Sequence, residues 1–469
     1  MSTTATEATR YGGPLHKVRD TKDDFCSGQI SNKTVVLKSL TNVTKIGNRF
    51  FADAKVLSSL TIISPCFQAL KTIGDDFLAG CETLPELDIT MIKPQSIGNN
   101  FLMGCASLKA IDLSGLAAGG VKNLGDGFLS GCGSLESINL SMFTKLSFGA
   151  RFLSGCASLT KVDLSNLSFG ETLGEQFLAG CTSLESLDLS ALSTVVTINE
   201  GFLAECSALT SLNLAPLANV TSIGGSFLAG CRLLEKVDLS SMHHLQSIGG
   251  GFLSECAALT EITYPTDFSV GDAPVGASFL AGCETLKQVN LAPFAQSSAL
   301  GEGFLARCAS LTSVPLSAFK AVVSVGPYFL SGCSALKDIS LKSLGKASID
   351  SCGFLSGCSA LETIPLKCLK KCFGTSLGAG FLSGCGSVKS LELSALIGVT
   401  MVEREFLEGC TSLESVKLGE WNGATAAERG FMEGCPESVR QTVLAVVQLT
   451  NDDEVAHNEV AHDEVAPQQ

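Results

Sequence analysis

The five-residue phrase Phe-Leu-Ser/Ala-Gly-Cys recurs along this chain at nearly constant spacing, and no other feature constrains the fold as strongly. It begins at Phe77, Phe101, Phe128, Phe152, Phe177, Phe202, Phe227, Phe252, Phe279, Phe304, Phe329, Phe354, Phe381, Phe406 and Phe431, with a degenerate first copy at Phe50. Successive copies lie 24 to 27 residues apart. Self-similarity at such a period marks a solenoid, in which each unit buries its apolar face only against its neighbours. Length alone would suggest about three globular domains. The repeat overrides that estimate, and one elongated domain of about 16 units is predicted.

The unit from Cys181 to Cys206 shows what one coil contains. Leu187 and Leu189 alternate with Ser186, Asp188 and Ser190, the period-two pattern of a half-buried strand. Leu192, Val195 and Ile198 follow at every third residue, which suits a tight turning segment with one side inward. Phe202, Cys206 and Leu209 fall at i, i+4 and i+7, a spacing that predicts one face of a short helix. Each unit is therefore expected to be a strand, a turn and a brief helical segment.

Fifteen of the 20 cysteines occupy the last place of the phrase. Stacked about 4.8 Å apart with parallel Cβ atoms, they are poorly placed for disulfides, which need Cβ atoms about 3.8 Å apart. They are expected to be free thiols acting as small buried hydrophobes, and a reduced interior fits an intracellular compartment. The chain is 45% hydrophobic, yet no stretch approaches the roughly 18 uninterrupted apolar residues of a membrane span. Residues Met1 to Asp20 are polar and lack the apolar core of a secretory signal. A cytoplasmic location without membrane insertion is expected, with the cell surface by a non-standard route as the alternative. A formal charge of −14 argues against a nucleic-acid partner, because phosphates are bound by clustered Lys and Arg.

The run Leu-x-x-Leu-x-Leu, then Val-x-x-Ile-Gly, then Phe-Leu-x-Gly-Cys-x-x-Leu resembles the BspA-like subfamily of leucine-rich repeats, known from bacterial surface proteins and parasitic protists. The usual repeat of that family has Ile-Gly-x-x-Ala-Phe-x-x-Cys. Ile223-Gly224 to Cys231 keeps the spacing, with Phe227-Leu228 standing where the family has Ala-Phe. The match covers about residues 34 to 435. The family unit is slightly shorter and often carries a proline after the strand, seldom seen here. The resemblance implies an α/β solenoid, a right-handed leucine-rich-repeat coil of about 16 tandem repeats of 24–27 residues. It also implies either protein binding on the strand face or a role as a surface or secreted adhesin or antigen.

Four segments follow. Residues 1–33 are expected to form a partly disordered N-terminal cap, and 34–435 the solenoid. Residues 436–449 are expected to form a capping helix, with Pro436 near its start and an apolar face of Val439, Val443, Val446 and Val447. Residues 450–469 repeat Asp-Glu-Val-Ala-His with small changes, the composition of an acidic, disordered, solubilising tail.

The outward position between the two strand leucines is where a binding surface is expected. It holds Asp88, Asp112, Asn139, Asp163, Asp188, Asn213 and Asp238, then Thr263, Asn290, Pro315, Ser340, Pro365, Glu392 and Lys417. The first seven form an Asp/Asn row suited to a basic peptide. The plainer alternative is that short polar residues solvate a repetitive sheet. A divalent cation is disfavoured, because a flat row supplies too few converging oxygens. Further on, Lys342, Lys346, Lys367, Lys370 and Lys371 gather near Cys352, Cys358, Cys368 and Cys372. Cys368 and Cys372 have tolerable metal-ligand spacing, and with Cys352 they are the candidates for zinc or a functional disulfide; but Cys358 belongs to the inward ladder and Cys352 lies on a different turn, so incidental thiols are the favoured reading. No nucleophile elbow or phosphate-binding loop occurs, and histidine is limited to His16, His243, His244, His457 and His462. The expectation is a non-enzymatic, monomeric, cofactor-free scaffold that binds a protein partner on its strand face. The alternatives are a surface adhesin and a thiol- or metal-responsive protein.

Overall fold

In the computed structural model, residues 20–28, 33–37, 40–143, 146–165, 167, 169–421 and 423–450 are described. The expected acidic tail and most of the expected N-terminal cap lie outside them. The chain divides into two compact units, Met1–Leu245 and Gln246–Gln469. Each is a stack of parallel β coils with very little helix.

Two of the three sides of a coil are built from short strands. On the first side Thr34–Leu37 pairs in parallel with Ser59–Ile62, and Ser137–Ile138 with Lys161–Val162. In the second unit Ser390–Glu392 pairs with Ser415–Lys417. These are the predicted Leu-x-Leu strands. The second side, where the spacing predicts a turning segment, is the more continuous ladder. In the first unit Lys45–Ile46, Thr72–Ile73 and Ser96–Ile97 pair in sequence, as do Thr172–Leu173, Thr197–Ile198 and Ser222–Ile223. In the second unit Ala299–Leu300, Ser324–Val325 and Ser348–Ile349 do the same. The second, larger apolar member of each pair is buried and the first, most often polar, is more exposed, so two residues suffice for a strand.

The third side corrects the expected helix. Around Phe202 the backbone alternates in hand: Gly201, Leu203 and Glu205 have φ of 77°, 51° and 60°. Ala204 N–H donates to Gly201 C=O and Cys206 N–H to Leu203 C=O, giving successive turns. The left-handed residues donate between coils instead. Leu203 N–H reaches Phe177 C=O at 3.0 Å in the preceding coil, and Glu205 N–H reaches Ala229 C=O at 2.6 Å in the following one. The same spacing that fits a helix face also fits these turns. The helix loses because its N–H groups would turn inward to i−4 and leave the inter-coil ladder unmade. A leucine in left-handed conformation costs roughly 1–2 kcal/mol. Leu203 is fully buried, and burying such a side chain contributes about 1.5–3 kcal/mol.

The phenylalanines of this ridge stack along the core. In the first unit, ring centroids from Phe25 through Phe50 and Phe77 to Phe227 lie 5.1 to 6.2 Å apart with nearly parallel planes. In the second, from Phe252 to Phe431, the range is 5.6 to 6.0 Å. Both lie within the roughly 4.5–7 Å centroid range over which aromatic pairs attract. Phe25 lies on Phe50, and Asp20 bridges to Lys45, so the stacked geometry begins ahead of residue 34. At the other end a helix spans Glu437–Leu444 with Val439 and Val443 buried. Val447–Thr450 then pairs as a strand with Ala424–Ala427, where the sequence pattern extended the helix to 449. Trp421 is buried and donates from Nε1 to Val399 C=O at 3.1 Å.

Candidate functional site: the strand face

In the first unit the seven expected contact residues are all exposed and occupy one position on successive coils. Each spends one oxygen on its own backbone. Oδ1 of Asp88 accepts from Thr90 N–H at 3.0 Å, Asp112 from Ser114 at 2.8 Å and Asn139 from Ser141 at 3.0 Å. Asp163 accepts from Ser165 at 2.9 Å, Asp188 from Ser190 at 2.8 Å, Asn213 from Ala215 at 3.0 Å and Asp238 from Ser240 at 2.9 Å. These are Asx turns, in which a short side-chain oxygen stands in for a backbone carbonyl. They lead into local helical turns: Asp112 precedes the helix Ser114–Gly119, and Asp188 and Asn213 precede the 3-10 turns Ser190–Leu192 and Ala215–Leu217. A strand-end turn thus accounts for the residue type. The hydroxyls of Thr90, Ser165 and Ser240, reinforced by their N–H groups, hold the carboxyls of Asp88, Asp163 and Asp238 below the ordinary range. The second oxygen of each carboxylate stays outside this bond, so the row presents exposed carboxylate oxygens beside the amides of Asn139 and Asn213.

A second Asx series in the same unit carries no sequence expectation. Oδ1 of Asp23, Asn48, Asp75, Asn99 and Asp126 accepts the N–H of the equivalent residue one coil on, at 2.7 to 2.9 Å. The carboxylates alternate with neutral amides, which keeps like charges from standing on adjacent coils. The preceding glycine makes room: a Cβ on Gly74 would lie 2.5 Å from Asn48 Oδ1. Asn48, Asp75 and Asn99 stand in the sequence Ile-Gly-Asx, but only the stacking reveals the bond.

The second unit departs from the pattern. Asn290 keeps the Asx turn, with Oδ1 3.1 Å from Ala292 N. Pro315 and Pro365 replace it by an inverse γ-turn, at φ −80°, ψ 60° and φ −82°, ψ 63°. Leu316 N–H then donates to Val314 C=O and Leu366 N–H to Ile364 C=O, at 2.8 and 2.9 Å. Beside Pro365 a cavity of about 330 Å³ opens on the strand face, lined among others by Thr363, Lys367, Ser390, Glu392 and Lys417. Glu392 Oε1 accepts from Ser394 Oγ at 2.9 Å and lies 3.6 Å from Lys367 Nζ. The sequence row contained Pro365, Glu392 and Lys417, but not the space between them.

The thiols are placed for packing. Ladder Sγ atoms donate to the ridge leucine carbonyl of the coil before, as Cys105 to Leu78 and Cys206 to Leu178, both at 3.2 Å. Burial pushes Cys81 and Cys181 up to about 12, so these groups are protonated donors rather than thiolates. Cys435, the last rung, is the exception. Its Sγ donates to Leu407 C=O at 3.2 Å, it is only half-buried, and its place beside the Cys410 thiol and Arg440 holds it below the ordinary thiol range. Cys352, Cys368 and Cys372 are not brought together on a common centre. Cys368 Sγ donates to Pro365 C=O at 3.0 Å, Cys372 Sγ to Leu344 C=O at 3.5 Å, and Cys352 pairs with the Tyr328 hydroxyl. Among the described residues no group of three or more His, Cys, Asp or Glu is placed to hold a metal.

Parallel coils, an inward Leu/Phe/Cys core and an exposed strand face define a leucine-rich-repeat solenoid. A family model described as a BspA type leucine rich repeat region, six copies long, matches residues 22–160, 146–273 and 273–377. The chain belongs to the BspA-type leucine-rich-repeat family. Among solved structures it resembles a leucine rich cell surface protein from Faecalibacterium prausnitzii, at 20% identity over 69% of this chain and 83% of that one, TM-score 0.46. A leucine-rich repeat protein from Bacteroides ovatus gives 21% identity, 79% and 78% coverage and a TM-score of 0.38. The functional domain of InlJ from Listeria monocytogenes, which includes a cysteine ladder, gives 12%, 88% and 74%, and 0.31. A search of curated proteins finds no match. The fold is consistent with a protein-interaction scaffold, and no helix among the described residues is long and apolar enough to cross a membrane.

Proposed function

We propose that the chain is a non-enzymatic scaffold that binds a protein partner along its strand face, with Asp88, Asp112, Asn139, Asp163, Asp188, Asn213 and Asp238 as the contact row for a basic segment. The observation that carries this reading is the division of labour within each carboxylate. One oxygen is fixed by an Asx turn while the charge remains exposed. Such a row is pre-organised, so little side-chain entropy is lost when lysines or arginines dock on it.

The turn also supplies a clean test. Replacing Asp163, Asp188 and Asp238 together by Asn removes three charges and keeps three turn-forming oxygens. Affinity capture with the full chain is expected to lose its partner in this variant, with the folded signal intact by circular dichroism. A partner that stays bound to the triple Asn variant, and to the corresponding Lys variant, would sink the proposal.

A further inference from the structure

We infer that the strand-face groove of the second unit is a separate docking site for acidic side chains of a partner polypeptide, held by Lys367 and Lys417. In a chain of net charge −14 this is a place where the face turns basic, and the structure shows how. The turn at Pro365 is closed backbone to backbone, so no carboxylate is needed there. Glu392 is the one acidic residue of the lining, and its Oε1 is already engaged by Ser394 and Lys367. Lys417 sits one strand on, in register with Glu392, and among the described residues it has no ion-pair partner within 4 Å. One coil earlier Lys342 opens the 3-10 turn Lys342–Leu344, which packs against the turn Leu366–Leu369 that begins beside Lys367. Within the lining, two ammonium groups face one carboxylate.

The shape narrows the ligand. The cavity spans three consecutive coils, roughly 10 Å across the stack, and its volume of about 330 Å³ is that of a small ligand pocket. Its floor is the buried Ile364, Leu366 and Leu391, and Thr363, Ser390 and Ser415 add hydroxyl donors. Two ammonium groups, hydroxyls and an apolar floor suit one or two Asp or Glu side chains with their methylenes. A nucleic acid would need many phosphate contacts and would be repelled by the rest of the chain. A peptide with a few carboxylates meets neither obstacle.

The test uses the full chain and three fluorescent probes: an alternating Gly/Glu decapeptide, its Gly/Lys counterpart and an oligothymidylate. Fluorescence anisotropy is expected to show the Gly/Glu peptide binding more tightly than the oligothymidylate, with affinity falling as salt is raised. Replacing both Lys367 and Lys417 by Glu is expected to weaken that binding by about tenfold or more, while Met at both sites, which keeps the aliphatic stems, weakens it by about fivefold. Glu392→Gln is expected to strengthen it. The Asn variant of Asp163, Asp188 and Asp238 leaves Gly/Glu binding unchanged, which separates this site from the row in the first unit. The inference is overturned if the two lysine variants bind the Gly/Glu peptide as the parent does, or if the oligothymidylate binds more tightly than that peptide.

Discussion

The ridge and the strand face repeat with equal regularity, but different forces hold the repetition in place. On the ridge every copy must fill a stacked core and adopt a left-handed residue at the same points, so Phe152, Leu153 and Cys156 are fully buried. On the strand face Asp112 or Asp188 is exposed, and its type is fixed only by one bond to the backbone two residues on. Where that bond is made in another way, as at Pro365, the residue type changes at once. The ridge keeps Phe and Cys through Phe431 and Cys435. Repetition therefore reports a folding requirement on both sides, and on the strand face what the turn leaves free is the second oxygen of each carboxylate and the positions, such as Pro365, where the turn is made another way.

The largest expected effect breaks the ridge by pH. Eleven ladder thiols, six from Cys81 to Cys206 and five from Cys283 to Cys385, are pushed up by burial. In the unfolded chain they ionise near pH 8.5, while in the folded chain they keep their protons. Their contribution is full below about pH 8.5 and is lost as pH rises, by about 1.4 kcal/mol per thiol and pH unit. Six act in the first unit and five in the second, so by about pH 10.5 the loss in each is comparable with the roughly 5–15 kcal/mol that stabilises a typical domain. Circular dichroism under reducing conditions is expected to show cooperative unfolding between about pH 9 and pH 10.5. A folded signal persisting at pH 11 would show that the thiols are not sealed. Cys435 should behave oppositely to its ladder mates, reacting with iodoacetamide at lower pH than any of them, as peptide mapping by mass spectrometry can determine.

Next in size is the loss of one ring. Phe152 lies between Phe128 at 6.0 Å and Phe177 at 5.7 Å, with Phe148 edge-on at 4.3 Å. Phe152→Ala leaves a cavity that neighbours on both sides cannot close, and a cost of about 3–5 kcal/mol is expected in denaturant unfolding. A value near 1 kcal/mol would mean that the stack relaxes, and the ridge would then resemble the strand face in tolerance.

These two expectations rest on features that were legible in the sequence. The period, the inward Phe and Cys positions and the Leu-x-Leu strand all follow from spacing, because a solenoid repeats its core demands in register. The ridge conformation was not legible. Leu203 at φ 51° is a left-handed leucine, and no propensity points there. The second ladder at Thr197–Ile198 was missed because two residues are too short for a period-two signal. The strand-face row was found by position, yet its chemistry was half hidden. Asp188 followed two residues later by Ser190 carries the Asx signature, but only the helical turn that begins there shows the oxygen at work. The groove beside Pro365 could not be found at all, since it depends on three side chains from three coils.

On the strand face the expected effects are smaller and depend on the substituent. Asp112→Ala removes the oxygen that accepts from Ser114 N–H, and losing a comparable capping bond costs about 1 kcal/mol. Asp112→Asn keeps the acceptor and is expected to fall within a few tenths of the parent. The pair of melts distinguishes turn from charge: equal destabilisation by Ala and Asn would mean that the carboxylate, not the turn, supports the fold at that position.

The smallest effect tests whether the ridge is held by conformation or by side-chain contact. Glu205 stands where most copies have glycine, at φ 60°, and its carboxylate covers Gly230 so closely that a Cβ there would lie 2.6 Å from it. Glu205→Gly relieves a left-handed cost of roughly 1–2 kcal/mol. It also returns about 0.5–1 kcal/mol of disorder to the unfolded chain, so a net gain of roughly 0.5 kcal/mol is expected. Gly180→Ala in the coil before runs the other way, because its Cβ would lie 3.3 Å from the Gly155 backbone at a φ of 74°. If conformation rules the ridge, the two substitutions shift the unfolding midpoint in opposite directions. If Glu205→Gly destabilises instead, the carboxylate covering Gly230 contributes more than the strain it imposes, and the ridge shares with the strand face a dependence on particular side chains.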